Sequence, residues 1–568
     1  MFVKVTKSGP RRYVQLVESY RDDDGRVRKR TIATLGRIEQ LRDGALESVI
    51  NGLAKLSGTT APSAHAGEPP DIAFEPVRAL GDVWALNELW NSLGFGELRR
   101  VFGRSRRRVD VETLLRVMVL NRLCDPESKL GVLRWLETVA IPGVDVPEVT
   151  HDRLLRAMDA LMDKREAVDA TVAKMLRPLI DQELSVVFYD LTTISVEGEA
   201  VVDGDVRKFG KSKDGGIRRQ FMLGVVQTAQ GLPLHHEVFD GNVAETKTLQ
   251  PMLDTVLERF PDVRRVIVVA DRGLLSLDNL EFLRGIRLRS GAPLEFILAV
   301  PARRYGEFAT LLEDIHREHC EATEEPVAGE SSWQGMRLAW HYDPVMAAQL
   351  TAKRAERIER LETLATRLAG KLEGQDEGKR SRGRSLSDGG ATAQFYHEVS
   401  EARLGRIVRT DLKGKLFSYT IDEAALRHAQ LADGKLLLVT NVNDLKPEDI
   451  VSRYKALADI ERGFRVLKSE LEIAPVFHRL PHRIRAHASV CFLALVLHRV
   501  MRMRLHASTT GLSPERALER LRRIQYHRIQ LNDDEPLTGI SSIDAQQRAV
   551  LAALEVRQPA ASRQLSLL

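Results

Sequence analysis

Two short runs of β-branched and aromatic residues each end on an aspartate, and this repeated design constrains the fold more than any other feature. Val186–Tyr189 ends on Asp190, and Val266–Ala270 ends on Asp271. A short apolar run bounded by polar residues is typical of a strand buried in a sheet. A carboxylate that ends such a strand is held rigidly. We therefore expect both aspartates at an edge of one buried sheet.

The segments around these two runs predict an α/β core between residues 185 and 301. The predicted elements are strands at 186–196, 220–230 and 234–242, a helix at 245–260, a strand at 265–270, a helix at 276–286 and a strand at 295–300. The order β-β-β-α-β-α-β is that of the ribonuclease-H-like fold, with a mixed five-stranded sheet. That fold places one acid on its first strand and one just after its fourth, where Asp190 and Asp271 fall.

The rest of the chain divides by composition and periodicity. We predict an N-terminal β-hairpin lobe at 1–60, a helical domain at 75–180, the first part of the core at 185–301, an insertion at 302–440, a further helix of the core at 441–475 and a C-terminal helical region at 476–568. The turn at Asp22–Gly25 marks the hairpin, and the Pro-rich stretch from Thr59 to Pro70 marks a linker. Within the insertion, β character is predicted again from Phe395 onwards.

Charge is distributed unevenly along this 568-residue chain of net charge +5. No Asp or Glu occurs from Ile473 to Pro514, and a separate basic cluster contains Arg106, Arg107 and Arg108. A long stretch that lacks one sign favours an anionic partner, and the basic residues predict that 75–180 is a helical DNA-binding domain. A solvated face and an ordinary helical domain with a basic loop are the alternatives. The three cysteines are scattered and indicate no disulfide framework.

No membrane association is expected. The N-terminus lacks the apolar core of a signal peptide, so the expected location is the cytoplasm. The apolar segment ASVCFLALVLHRVM is predicted to be a core helix, because it is too short and too basic at its end to span a bilayer.

A third acid, Glu461, lies on a charged segment that is predicted as one helix from Ile450 to Ile473. Tyr454, Glu461 and Lys468 are spaced by seven residues, about two helical turns, and so share a face. A plain amphipathic helix is the alternative. Three carboxylates gathered without metal would repel one another. Their gathering would indicate Mg²⁺, with Mn²⁺ as a substitute, and two ions about 4 Å apart serve phosphodiester cleavage.

These residues carry a resemblance to a known family. The spacing of Tyr454, Glu461 and Lys468 resembles the Tyr-x2-Arg-x3-Glu-x6-Lys signature of bacterial DDE transposases of the insertion-sequence-four type. Other similar motifs are YDLTT around Asp190, FDGNVAET at 239–246, VVADRG around Asp271, the hairpin that ends in TLGRI, and the FHRLPHRIRAHASVCFLAL run. The resemblance implies that Asp190, Asp271 and Glu461 are the catalytic metal ligands.

The resemblance also implies contacts with DNA. Tyr454 and Lys468 would contact the DNA end, and Leu457 stands where the signature has arginine. Arg453, Arg462 or Arg465 would take over that contact with phosphates, and the alternative is that this subgroup lacks the contact. Arg272 would touch a phosphate or pair with an acid. Trp333 is a candidate to stack on a flipped base, and a tryptophan packed in a β core is the alternative.

The implied function is cleavage and strand transfer at the terminal inverted repeats of a mobile element, with double-stranded target DNA as the second substrate and a homodimer pairing two ends. A catalytically silent DNA-binding repressor or domesticated transposase is the alternative. A phosphatase that uses Asp190 as nucleophile is a third, but it would want an aspartate where Thr192 stands.

Other polar residues have simpler interpretations. Asp203, Asp205, Asp240 and Glu245 are expected in turns or caps. The pairs His235–His236 and His316–His319, with Cys320, are expected to be surface or core residues rather than metal ligands.

Overall fold

The computed structural model describes two compact units. The described residues are 2–23, 25–38, 54, 72–103, 110–180, 185–198, 203–212, 215–319, 324–377, 385–412, 414, 416–457, 463–531 and 536–560. Met1–Glu75 with Ile529–Leu537 forms the first unit, and Pro76–Arg528 with Thr538–Leu568 forms the second. The predicted linker at 59–70 lies outside the described residues.

The first unit contains a three-stranded antiparallel sheet, β1 (Phe2–Ser8), β2 (Arg11–Arg21) and β3 (Val27–Arg37). The predicted hairpin is β2–β3, and β1 adds a strand that the sequence did not indicate. The backbone N–H of Gly25 donates to the carbonyl of Asp22 at 2.8 Å, and Gly25 has a φ of 76°, which glycine adopts without strain. A further short strand, β4 (Ile72–Phe74), follows.

Residues 76–180 of the second unit are mostly helical. The elements are β5 (Arg78–Ala79), α1 (Gly81–Ser92), α2 (Leu98–Phe102), α3 (Val111–Cys124), α4 (Lys129–Thr138), α5 (His151–Asp163) and α6 (Arg165–Leu176). Asp110, Ser128 and Thr150 are the N-caps of α3, α4 and α5, and each side chain accepts a backbone hydrogen bond. The basic residues Arg106, Arg107 and Arg108 lie outside the described part of the chain.

A mixed sheet begins at residue 185. Its elements are β6 (Ser185–Ser195), β7 (Lys208–Lys211), β8 (Ile217–Thr228), β9 (Pro233–Asp240), α7 (Leu249–Arg259), β10 (Val266–Ala270), α8 (Leu277–Gly285) and β11 (Glu295–Ala299). Strands β6, β8 and β9 are antiparallel neighbours, whereas β6, β10 and β11 are parallel. The five predicted strands are present in the predicted order, and β7 is an addition that pairs with β8.

The segment 302–440 adds strands to this sheet as well as a helical lobe. The elements are α9 (Ala309–His319), β12 (Val327–Trp333), β13 (Met336–Tyr342), α10 (Pro344–Asp376), α11 (Asp388–Glu401), β14 (Val408–Thr410), β15 (Tyr419–Ile421), α12 (Glu423–Ala432) and β16 (Lys435–Thr440). Strand β16 pairs with both β11 and β13, so the hairpin β12–β13 extends the main sheet.

The predicted β character from residue 395 onwards was wrong at its start, because Asp388–Glu401 is α11. The Ser387 side chain caps this helix by accepting from the Gly390 N–H. Phe395 and Val399, four residues apart, are buried on one helical face with residues of α10. The spacing of these buried residues is therefore that of a helix and not of a strand.

The predicted continuous helix from 450 to 473 was also wrong. Helix α13 (Pro447–Lys455) ends before Leu457, and Val466–Glu470 forms a π-helical turn. Residues 458–462 lie outside the described part of the chain. The shared face predicted for Tyr454 and Lys468 from uninterrupted helical spacing therefore does not hold.

The C-terminal region was predicted to be helical, but it also contains two strands. It contains α14 (Pro481–Ala507), α15 (Pro514–Arg522), β17 (Gln525–Leu531), β18 (Leu537–Ile540) and α16 (Ala545–Ala553). In β17, Ile529 pairs with Phe74 of β4, and Gln525 pairs with Ala79 of β5. These partners lie more than 400 residues away in sequence, so no local pattern indicates the pairing.

Helix α14 is longer than its apolar stretch suggested. With 27 residues it is long and apolar enough to span a bilayer, so the argument from length was wrong. However, 94% of its most apolar 18-residue window is buried inside the protein. It packs against α3, α5 and β9 as the central helix of the second unit.

Candidate active site

The register of two parallel strands brings Asp190 and Asp271 together. The last pair between β6 and β10 is Tyr189 with Ala270, so each aspartate is the next residue on its own strand path. Asp271 keeps an extended backbone, with φ −75° and ψ 170°. Neighbouring strands lie about 4.8 Å apart. The two carboxylates are therefore adjacent where the parallel pair ends, while β6 itself continues to Ser195 beside β8.

Both aspartates belong to the same face of the sheet. Phe188 and Val269 are buried in one hydrophobic cluster, and Tyr189 and Ala270 are buried in another, on the opposite face. Because side chains alternate along a strand, positions 190 and 271 fall on the face of Phe188 and Val269. Helix α13 covers this face, with Ile450 and other residues in the same cluster.

Helix α13 also supplies a direct contact to the acidic pair. The Tyr454 hydroxyl donates a hydrogen bond of 2.9 Å to Oδ1 of Asp271. On the other aspartate, Oδ1 of Asp190 accepts from the backbone N–H of Leu191 at 2.7 Å. Hydrogen bonds of this kind fix the orientation of carboxylates that hold a metal. The resemblance assigned Tyr454 to the DNA end, whereas its hydroxyl is engaged with Asp271.

Glu461 and Arg462 lie outside the described residues, but the chain on both sides of Glu461 is described. Tyr454, seven residues before it, contacts Asp271. Gly463, two residues after it, packs so closely that an added Cβ would lie 3.1 Å from both amide atoms of Gln227 and 2.9 Å from Nη2 of Arg499. Gln227 pairs with Phe188 across β6 and β8, and Phe188 lies two residues before Asp190 on β6.

The position of the missing signature arginine is apolar and buried. Leu457 is 8% exposed and belongs to the cluster of Phe188 and Val269. Its side chain contributes to packing α13 on the sheet. Beyond the gap, Arg465 is exposed and Lys468 is half-buried in the π-helical turn. Arg453, the other proposed substitute, is half-buried on α13.

Trp333 combines features of the two alternatives proposed for it. It ends β12, is half-buried, and packs against the apolar cluster through Phe308, with ring centroids 5.6 Å apart. The guanidinium of Arg304 lies over its ring at 5.1 Å. This is a cation–π contact. The backbone of Arg272 lies in the turn Arg272–Leu274, directly after Asp271, and its side chain lies outside the described part.

The donors at the site fit a hard divalent cation. Two adjacent carboxylates supply oxygen ligands of the kind that Mg²⁺ and Mn²⁺ prefer. Among the described residues no group of three His, Cys, Asp or Glu side chains forms a metal site. The two aspartates could therefore supply part of a ligand set, and the third predicted ligand, Glu461, is in the segment that is not described.

Several residues that the structure places near the site were not assigned to it from the sequence. Glu245, expected in a turn or cap, begins the turn Glu245–Lys247, and its Oε2 lies 1.9 Å from where a Cβ on Gly273 would stand. Its carboxylate thus reaches the turn that follows Asp271. The sequence feature that could have indicated this close approach is Gly273, the glycine of the VVADRG motif. Gln227 and Arg499 had no such signal.

The predicted interpretation of His235 and His236 agrees with their surroundings. Both are buried, His235 accepts a hydrogen bond from Arg259 at 2.8 Å, and His236 bonds to the Ser489 hydroxyl at 3.0 Å. Burial and then the charge of Arg259 lower the pKa of His235 to about 3, so its ring is neutral. Cys320 lies outside the described residues.

Comparisons with known proteins agree with these motifs. The N-terminal domain of IS1634 family transposases matches residues 3–64, and the transposase DDE domain matches residues 181–497. No curated protein matches the chain. One similar solved structure is the Mos1 transposase paired-end complex with left transposon end, at 15% identity, over 38% of this chain and 67% of that chain. Its TM-score of 0.12 is too low to support an inference.

The DDE domain match covers more than half of the 568 residues and contains Asp190, Asp271 and Glu461. The N-terminal match adds a domain of the IS1634 transposase family. Taken with the mixed α/β sheet and its adjacent aspartates, these matches show that the chain belongs to the transposase DDE domain family, as an insertion-sequence DDE transposase.

Proposed function

We propose that this transposase is of the insertion-sequence-four type, and that it cuts and joins DNA at the inverted-repeat ends of its element by a cut-and-paste route. The observation that carries the proposal is the register Tyr189–Ala270, which brings Asp190 and Asp271 side by side on one face of the sheet. Paired carboxylates at the end of parallel strands suit metal-assisted phosphodiester chemistry.

The proposed reaction has two balanced steps. In the first, a water oxygen forms a bond to the phosphorus at the element end, and the bond from phosphorus to the 3′-oxygen breaks. One proton of the water passes to the leaving 3′-oxygen, and the other is released from the new phosphate. This step leaves a 3′-hydroxyl and a 5′-phosphate. In the second, the 3′-hydroxyl oxygen bonds to a target phosphorus and loses its proton, while a target 3′-oxygen leaves and takes up a proton. One phosphodiester bond forms as one breaks, so no external energy source is needed.

Asp190, Asp271 and Glu461 are the proposed ligands of Mg²⁺ or Mn²⁺, with two ions as the expected number. When bound, such ions activate the attacking oxygen and stabilise the leaving oxygen. The proximity of Tyr454 to Asp271 and of Gly463 to Gln227 supports a position for Glu461 beside the aspartates.

The remaining predicted residues are proposed to hold DNA. Salt-dependent contacts to phosphates are expected from the basic residues Arg106, Arg107, Arg108, Arg272, Arg462, Arg465 and Lys468. Trp333 is proposed to stack on a base at the DNA end, with Arg304 holding the indole ring in place. Because two ends must be paired, the proposed working form is a homodimer on DNA.

The test uses three isosteric variants in the full chain: Asp190→Asn, Asp271→Asn and Glu461→Gln. Each is expected to abolish strand cleavage of an inverted-repeat duplex in Mg²⁺ or Mn²⁺ and to leave DNA binding largely intact. The matched control is Asp163→Asn, at an exposed position in the last turn of α5, which should cut normally. Retained cutting by any of the three variants would remove that residue from the proposed triad.

The same assay separates the alternative function. A catalytically silent DNA-binding repressor would shift the mobility of the duplex but would cut it in neither metal. Such a result with the wild-type chain would replace the proposed enzymatic role.

A further inference from the structure

A second cavity, remote from the aspartates, has a cationic interior. Its volume is about 590 Å³, within the ~300–1,000 Å³ typical of ligand pockets. Its walls come from the end of α3, the start of α4, α5, the loop 472–480 and the start of α14. We call it the Lys129 pocket, after the most buried ammonium group that lines it.

Lys129 is only 6% exposed and has neither a hydrogen bond nor an ion pair among the described residues. Burial, and then the charge of Arg122, lowers the pKa of Lys129 to about 8, so the ammonium still carries its charge at neutral pH. A buried charge without a counter-ion is costly. Its retention therefore points to a ligand that supplies the missing negative charge.

Two further polar groups in the pocket are also unsatisfied. Arg122 donates through Nη1 to the carbonyls of Leu471 and Glu472, but its buried Nε has no partner among the described residues. His487 donates through Nε2 to the carbonyl of Ile473, so its buried, unpartnered Nδ1 is an acceptor and can take a hydroxyl or water proton. Buried polar atoms are normally paired, so a group with an acceptor oxygen fits the free N–H of Arg122.

The acidic residues of the pocket do not neutralise Lys129. Glu127 turns to the first turn of α4, where its Oε2 would lie 2.1 Å from a Cβ on Gly131. Glu472 is exposed at the rim. Asp159, on α5, is already paired at 2.7 Å with Arg483, which lines the pocket. The interior thus keeps a net positive charge.

We propose that the Lys129 pocket binds a phosphodiester group of a DNA strand, about six base pairs from the bond that is cut. The backbone of Val476 in the pocket wall is joined to the end of β6, through Ser195 and Glu197. From Asp190 to Val196 the strand rises ~20 Å, which matches about six base pairs of duplex at 3.4 Å each. Phe477, 68% exposed at the mouth, offers a ring on which a base can stack.

The proposal rests on the proposed function for its choice of DNA, and its test measures binding without cleavage. The full-length protein is titrated in EDTA with short duplexes of the element end, each carrying one neutral methylphosphonate at a different position. In the wild type, a methylphosphonate about six base pairs from the cut should weaken binding about tenfold. In Lys129→Gln, that position should no longer matter, while the other positions keep their effects.

Two further measurements complete the test. Lys129→Gln should reduce the slope of log affinity against log salt by about one, as for loss of a single phosphate contact. The matched control is Lys174→Gln, at an exposed position on α6, which should leave the methylphosphonate profile unchanged. Phe477→Ala removes only an exposed ring and should weaken binding at least about fivefold, so the pocket stays testable if Lys129→Gln fails to fold.

Additive effects of Lys129→Gln and every methylphosphonate would overturn the proposal. So would a Lys129-dependent rise in thermal midpoint with inorganic phosphate and no sensitive position in the DNA, because the ligand would then be a free phosphate. A wild-type protein that shows the expected methylphosphonate profile in EDTA but cuts no DNA when metal is added would contradict the proposed catalytic function alone.

Discussion

The hydroxyl of Tyr454 donates a hydrogen bond of 2.9 Å to Oδ1 of Asp271, across 183 residues of sequence. The tyrosine lies on a helix that packs on the sheet face of the two aspartates, and Leu457 fills part of the apolar contact beneath it. The hydrogen bond therefore ties the orientation of one carboxylate to the docking of α13. It also ties that carboxylate to the segment that leads to Glu461.

Tyr454→Phe should reduce cleavage by about 10- to 100-fold, because partners that orient metal ligands typically have effects of that size. The phenylalanine keeps the ring packing and removes only the hydrogen bond. Cleavage rates measured over a range of Mn²⁺ concentrations should show a higher metal requirement. Tyr396→Phe, at an exposed position on α11, is the control. An unchanged metal dependence would contradict a role in orienting Asp271.

Gly463→Ala should lower cleavage while the protein stays folded. The added methyl would lie 2.9 Å from Nη2 of Arg499 and 3.1 Å from the Gln227 amide, so the chain beside Glu461 must shift. Misplacement of a catalytic group by about 1 Å can cost on the order of 100-fold in rate. The control, Gly370→Ala in α10, has open space and should be neutral or slightly stabilising. Wild-type cleavage by Gly463→Ala would show that this contact does not position the segment.

The positions of Asp190 and Asp271 could be predicted because each follows a strand whose residue types are unmistakable. Parallel strands that neighbour one another end at the same edge, so two local patterns sufficed to place the pair. The exchange of the signature arginine for Leu457 was also visible in the sequence. Its burial was not, because it depends on how α13 lies on the sheet.

The parts that could not be predicted depend on long-range contacts. The pairing of β17 with β4 joins segments whose local sequences do not encode one another. No proline or glycine near Leu457 signals the end of α13. Helical propensity is a weak guide there, because tertiary contacts can override it. The cationic pocket around Lys129 likewise arises only from folding.

Lys129→Met should stabilise the folded protein in phosphate-free buffer at pH 7. The pKa of Lys129 falls from 10.5 to about 8 in the folded state, so the unfolded chain holds the proton more tightly. The free-energy cost of burying the charged lysine is complete below pH 8 and fades between pH 8 and 10.5, so the stability of the wild type rises with pH in that window. The gain in stability from Lys129→Met has an upper limit of about 3 kcal/mol.

Urea unfolding of wild type and Lys129→Met at several pH values measures this effect. Lys174→Met is the matched control at an exposed position. If Lys129→Met is no more stable than wild type at pH 7 and shows the same rise between pH 8 and 10.5, the lysine is not a buried uncompensated charge.

Buried histidines should make the fold sensitive to acid. The pKa of His235 and that of His478 are lowered to about 3, chiefly by burial, and those of His236 and His487 also lie well below 6.5. Between about pH 6.5 and 3 the unfolded chain binds protons that the folded chain does not, so stability must fall as pH falls through this window.

The urea midpoint should therefore drop markedly from pH 7.5 to pH 5, and His235→Gln should make the drop smaller. Glutamine can still accept the hydrogen bond from Arg259 but takes up no proton when the chain unfolds. His397→Gln, at an exposed position on α11, should leave the pH dependence as it is in the wild type. A midpoint that stays level from pH 7.5 to 5 would contradict the lowered pKa values of these buried rings.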